Sequence, residues 1–126
     1  MNIPENLRYS KDHEWARLEG DVVVEGITDY AQQELADIIY VNLPQVGRQV
    51  KQGEAIGSID AVKTVADIYA IVSGTVIEVN NELKEHPDFV NKEPYGKGWM
   101  IKIKPSNPSE LNSLLDTEGY KKLFVG

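Results

Sequence analysis

The stretch Ile59–Gly74, IDAVKTVADIYAIVSG, sets Lys63 in the middle of residues that otherwise suit a buried β-strand. An ammonium is costly to bury and easily left in water. The run is therefore expected to split into two strands, joined at a tip that carries the lysine. The glycines fit that division. Gly47 lies 16 residues before Lys63, Gly53 lies 10 before and Gly74 lies 11 after. Glycine serves where a turn or a close backbone approach is needed. Short strands on both sides would then close around a central hairpin. No Asn-Gly pair stands at the tip, so a type I turn, which accepts ordinary residues, is expected. Val62 and Val65 are expected to hold the tip rigid, with Lys63 pointing out.

The rest of the chain supplies more short strands: Leu7–Tyr9, Glu14–Leu18, Asp21–Ile27, Ile38–Leu43, Gln49–Val50, Ala55–Ile59, Val65–Tyr69, Thr75–Val79 and Trp99–Ile103. Many are rich in β-branched residues. Thr28 is placed to cap a helix over Asp29–Leu35, with Asp29 in its first turn. Pro44–Gly47 reads as a turn. Pro87 and Pro94 deny Glu82–Gly98 a regular helix and leave a loop, with room for one helical turn. Asn107-Pro108-Ser109-Glu110 has the form of a helix start. Leu111, Leu114 and Leu115 then fall on one face at helical spacing. Asp116–Phe124 is expected to be a second short helix. The reading is one β-rich domain over 1–126, with 107–126 as a C-terminal helical extension.

Composition narrows the chemistry. The 126 residues are 41% apolar and 26% charged, which fits one globular domain. Thirteen basic against twenty acidic residues give a net charge of -7. That argues against nucleic-acid or anionic-membrane binding, which need a basic footprint. The absence of cysteine removes disulfides, thiolate catalysis and cysteine metal sites. MNIPENLRYS does not read as a signal peptide, no stretch approaches a membrane span, and the cytoplasm is the expected compartment. His13 and His86 stand apart, without the spacing of metal ligands. Tyr95-Gly96-Lys97-Gly98 lacks the phosphate-loop pattern. No Gly-x-Ser-x-Gly elbow or other nucleophile–base set points to an enzyme. Trp15 and Trp99 are expected to anchor the core.

Several motifs fall in one order along the chain. They are YSKDHEW at Tyr9–Trp15, GITDYAQ at Gly26–Gln32, YVNLP at Tyr40–Pro44, SGTVIEVN at Ser73–Asn80, FVNKEPYGKGW at Phe89–Trp99 and YKKL at Tyr120–Leu123. With the spacings around Lys63, they resemble the glycine cleavage system H proteins, within the wider lipoyl and biotinyl carriers. The resemblance covers nearly the whole chain. It implies a β-sandwich of the barrel-sandwich hybrid kind, with short peripheral helices and a C-terminal helix. A biotin carrier typically brackets its lysine with methionines, whereas Val62 and Thr64 stand here.

The resemblance also implies a carrier that lowers no chemical barrier itself. Lipoic acid is expected in amide linkage to Lys63, supplying redox sulfur that the chain lacks. The implied partners are a pyridoxal-phosphate glycine decarboxylase, a tetrahydrofolate-dependent aminomethyltransferase, dihydrolipoamide dehydrogenase and a lipoylating enzyme. Asp60 and Asp67 are implied aids to recognition by the last of these. Glu14 and Glu34 are candidates to receive the cationic amine of the loaded arm, against the plainer reading of surface acids. A monomer is expected. The tip Asp60-Ala61-Val62-Lys63-Thr64 departs from the usual family pattern, close to Glu-Ser-Val-Lys-Ala, and Ile71 stands where proline is common. These departures leave open a lipoyl carrier or relay protein serving 2-oxoacid dehydrogenases or another lipoyl-dependent pathway.

Overall fold

The computed structural model describes residues 1–124. Strands β1 (Arg8–Tyr9), β2 (Glu14–Glu19) and β3 (Val22–Ile27) lead into helix α1 (Asp29–Leu35). Then come β4 (Ile38–Asn42), β5 (Gln49–Val50), β6 (Ala55–Ala61), β7 (Val65–Tyr69) and β8 (Gly74–Val79). A 3-10 turn (Asn81–Lys84) and helix α2 (Asp88–Lys92) precede β9 (Ile101–Pro105). A second 3-10 segment (Pro108–Ser113) leads to helix α3 (Thr117–Phe124).

The strands form two antiparallel sheets, of order β1-β2-β3-β9-β8-β5 and β4-β6-β7. Lys63 lies at the centre of a nested arrangement. The inner strands β6 and β7 pair with each other, and the outer strands β5 and β8 pair with each other. Gly47, Gly53 and Gly74 all take positive φ, at 97°, 85° and 156°, as their places around the hairpin suggested. Alternation then decides what is buried. Val23, Val41, Ile59, Ile68, Val76 and Ile103 belong to one buried cluster. Each such side chain contributes about 1.5–3 kcal/mol of burial free energy.

A second cluster of Leu7, Tyr9, Trp15, Val24 and Tyr120 fastens α3 to the first strands. Tyr9 stacks on Tyr120 with ring centroids 4.7 Å apart. Trp15 is fully buried, and its Nε1–H donates to the Pro94 carbonyl at 3.0 Å. Trp99 is only half-buried, with Lys102 Nζ over its ring at 5.0 Å. His13 Nδ1 pairs with the Tyr120 hydroxyl at 2.8 Å, and His86 stacks on Phe89.

Thr28 caps α1 as expected, its Oγ1 accepting from Ala31 N–H at 3.2 Å. Three other local expectations change. Glu82–Gly98 holds α2 as well as most of a 3-10 turn, because Pro87 precedes α2, where its missing N–H costs nothing. The last core strand is Ile101–Pro105, two residues later than expected. The segment after Asn107 forms a 3-10 rather than an α-helix, and Asn107 makes no side-chain cap. Glu110 is instead drawn across to Ser73, accepting its N–H at 2.7 Å and its hydroxyl at 2.8 Å. Leu115 leaves the helical path to bridge Tyr9, with N–H···O distances of 2.8 Å in both directions.

Gly57 fixes how closely the Lys63 hairpin seats on β4. A Cβ built there would lie 2.3 Å from the Asn42 carbonyl oxygen, a backbone atom. Gly57→Ala should therefore force β4 from β6 and cost about 3 kcal/mol, read as a lowered urea midpoint. A midpoint within experimental error of the parent would show that the β4–β6 contact is slack.

Candidate functional site

The tip of the β6–β7 hairpin is two residues, Val62 and Lys63, because Asp60 pairs with Val65 and Ala61 N–H donates to the Thr64 carbonyl at 2.8 Å. Neither tip residue has positive φ. That excludes the I′, II′ and II turns and agrees with the expected type I. Val62 N–H donates to the Asp37 carbonyl at 3.0 Å, so the connection from α1 to β4 props the tip from one side. Val62 and Val65 do not stiffen it by packing, since they are 67% and 64% exposed. Backbone hydrogen bonds hold the tip instead. Lys63 is exposed and forms no ion pair among the described residues.

The sheet face beside the tip is set by register. Tyr40, Asp60 and Val65 form one cross-strand row, and Asn42, Ser58 and Asp67 the next. Asp60 and Asp67 thus share the outer face of the three-stranded sheet, with Val41 and Ile59 turned to the core.

β7 connects this tip to a cleft. Val65 stands next to the tip, and Tyr69 ends the strand about 13 Å further on. Tyr69 N–H donates to Glu14 Oε2 at 2.7 Å. Glu14 lines a cleft of about 270 Å³ together with Ser10, Lys11, Gln52, Ile71 and Leu115. The C-terminal extension therefore supplies one wall. Ser10 Oγ donates to Glu14 Oε1 at 3.3 Å. Glu14 is only 2% exposed, so it is no ordinary surface acid. Burial pushes its carboxyl up to about 8. Glu34 does not join it. That residue is exposed on α1 and stands outside the cleft lining.

One buried acid escaped the reading of the sequence. Glu25 follows Val22-Val23-Val24 and is fully buried on β3. Its Oε1 accepts Ile71 N–H at 3.0 Å, while its Oε2 has no partner. Burial first, then the Glu14 charge, pushes its carboxyl well above the ordinary range. A charged residue inside a β-branched run is the signal that identified Lys63. Applied to 22–27, with Val23, Glu25 and Ile27 alternating inward, the same signal marks Glu25.

A two-sheet β-sandwich that presents one lysine on a two-residue hairpin tip is the architecture of a lipoyl-carrier-like protein. The family model for the glycine cleavage H-protein matches residues 7–125. A glycine cleavage system H protein of Bacteroides fragilis is 53% identical over 121 residues, covering 96% of each chain. Its counterpart in Geobacillus kaustophilus is 54% identical over 124 residues, covering 98% of each. The crystal structure of a glycine cleavage system H protein from Mycobacterium marinum superposes with a TM-score of 0.88 at 35% identity, covering 96% of this chain and 98% of that one. The chain belongs to the glycine cleavage H-protein family.

Proposed function

We propose that the chain is the lipoyl-bearing carrier of a glycine cleavage system, with lipoic acid in amide linkage to Lys63 Nζ. The observation that carries this reading is the solvated lysine at the hairpin tip, in a chain of this family. When bound, the lipoyl group supplies a dithiolane that accepts an aminomethyl group and later gives up two electrons on reoxidation. Everything else is positioning. The hydrogen bonds from Ala61 and Val62 fix the tip, so the arm is the mobile part. Tethering raises the effective concentration of the cargo at each enzyme visited. Asp60 and Asp67 offer negative charge to basic surfaces of the lipoylating enzyme. The Glu14 cleft offers a carboxylate to the cationic amine of the cargo.

On this reading the whole chain acts as one carrier domain, with Ser113, Leu114 and Leu115 of the C-terminal extension closing the cleft, and it is not a catalyst. Its partners are glycine decarboxylase, aminomethyltransferase, dihydrolipoamide dehydrogenase and the lipoylating enzyme. The Asp60-Ala61-Val62-Lys63-Thr64 tip keeps a second reading, a lipoyl relay to 2-oxoacid dehydrogenases. One experiment separates the two. Lipoylated chain is mixed with glycine decarboxylase, glycine and labelled bicarbonate. Incorporation of label into glycine that depends on the chain is expected. No incorporation, together with restored 2-oxoacid oxidation by a lipoyl-deficient dehydrogenase complex, would establish the relay instead.

A further inference from the structure

The carrier reading gives Glu25 no task, yet its placement is specific. On the β2–β3 ladder Ala16 pairs with Glu25, and Glu14 pairs with Ile27. Glu14 and Glu25 are thus diagonal neighbours on one face, a separation that long side chains bridge. Both carboxyls are also tied to one segment. Glu14 accepts the amide of Tyr69 at 2.7 Å, and Glu25 accepts the amide of Ile71, two residues on, at 3.0 Å. The pair therefore lies side by side against this segment, with Glu14 lining the cleft beside Ala70 and Ile71 and Glu25 behind it.

Glu25 Oε2 is the one fully buried side-chain oxygen or nitrogen without a partner among the described residues. Such an atom is costly to leave unmet. An un-ionised carboxyl carries an O–H that needs an acceptor, and an ionised carboxyl accepts only. Glu14 is the acceptor on the same face. Glu14 is also the member with an open side, since it lines the cleft and Glu25 does not.

We propose that Glu25 stands un-ionised behind Glu14 and donates its O–H to the Glu14 carboxylate, so that once Glu14 ionises the pair presents a single negative charge to the cleft as the seat for a primary ammonium. Glu25 is a positioning residue, acting only through Glu14. The ammonium as ligand rests on the carrier reading, whereas the hydrogen bond between the two acids does not. Burial pushes both carboxyls up, and only Glu14 borders the cleft while Glu25 is fully enclosed, so the charge of the pair is placed on Glu14. The titratable groups around Glu14 are Glu25 behind it, Asp12 and Lys11 beside it, Tyr9 on the cleft wall, and Tyr69, whose amide it accepts.

The test is a pH titration of the unlipoylated chain by carbon NMR, with the glutamate carboxyls labelled. Glu25→Val should raise the Glu14 midpoint by about one pH unit, because a donor is lost. Glu25→Gln, whose amide still donates, should leave it within a few tenths of a unit. A Glu14 midpoint that is unchanged or lower in Glu25→Val overturns the proposal, since a lower one would make Glu25 a repelling carboxylate. Both variants are expected to fold, because valine suits a buried strand position and glutamine keeps the Ile71 contact.

Methylammonium chloride, added at pH 9 where a primary ammonium keeps its proton, probes the seat. It should shift the Ser10 and Ile71 amide signals of the parent chain and leave those of Glu14→Gln in place. No shift in the parent overturns the ammonium seat. None of these readouts uses the arm, so failure here and failure to lipoylate Lys63 remain separate results.

Discussion

A chain carrying Lys63→Arg should take up no lipoyl group and support no glycine-dependent exchange above background, with its melting temperature within about 2 °C of the parent. The size of the loss follows from chemistry. Arginine keeps the positive charge, but its guanidinium stays protonated and is no acylatable amine. The small stability change follows from place. Lys63 is exposed, forms no ion pair among the described residues, and sits at a tip held by backbone hydrogen bonds. Lipoylation with lipoate, ATP and a lipoate ligase, followed by intact-mass measurement, checks the first half, and a thermal melt the second. A modified Lys63→Arg chain would put the attachment site on another lysine. An unmodified chain with a sharply lowered melt would make Lys63 structural.

Stability should fall as the pH rises from 6.5 to 8, by about 1.4 kcal/mol per pH unit for each proton that the fold retains. The sign is set by Glu14 and Glu25, whose burial raises both carboxyls above 4.5, Glu14 to about 8. In that window the folded chain holds protons that the unfolded chain releases. Their contribution is complete below pH 4.5 and is lost as the pH climbs through the folded values. His13 works in the opposite sense. Burial lowers it from 6.5, so its share is lost as the pH falls below 6.5. The slope of the acids is therefore cleanest above 6.5. Asp21, Glu54 and Asp88 are lowered by lysine, backbone and arginine contacts at the surface, and they matter only in the acid range. Glu25→Val should flatten the slope and raise the melting temperature at pH 8, because it removes a buried acid. Urea unfolding of both chains at pH 6.5, 7.2 and 8 checks this. Stability that rises across that window would mean that the fold retains no proton on this pair of acids.

The hairpin was legible because Lys63 breaks a run that has no other reason to break, and the glycines around it mark the turns. The cap at Thr28 and the strand alternation were legible for the same local reasons. What escaped depended on contacts far along the chain. Glu110 looked like part of a helix start, yet it bonds Ser73, 37 residues away. Leu115 fitted a helical stripe, yet it pairs with Tyr9. Val62 and Val65 looked like packing residues, but a two-residue turn leaves nothing above them to pack against. Glu14 was legible only as one of two candidate acids, with Glu34, because a strand pattern does not say which sheet or which tail will cover its face.

Tandem mass spectrometry of the Lys63 peptide, from protein purified from its own source, tests the central claim most directly. The account predicts a lipoyl group on Lys63 Nζ and on no other lysine. A free Lys63 that persists after incubation with lipoate, ATP and a lipoate ligase would contradict it.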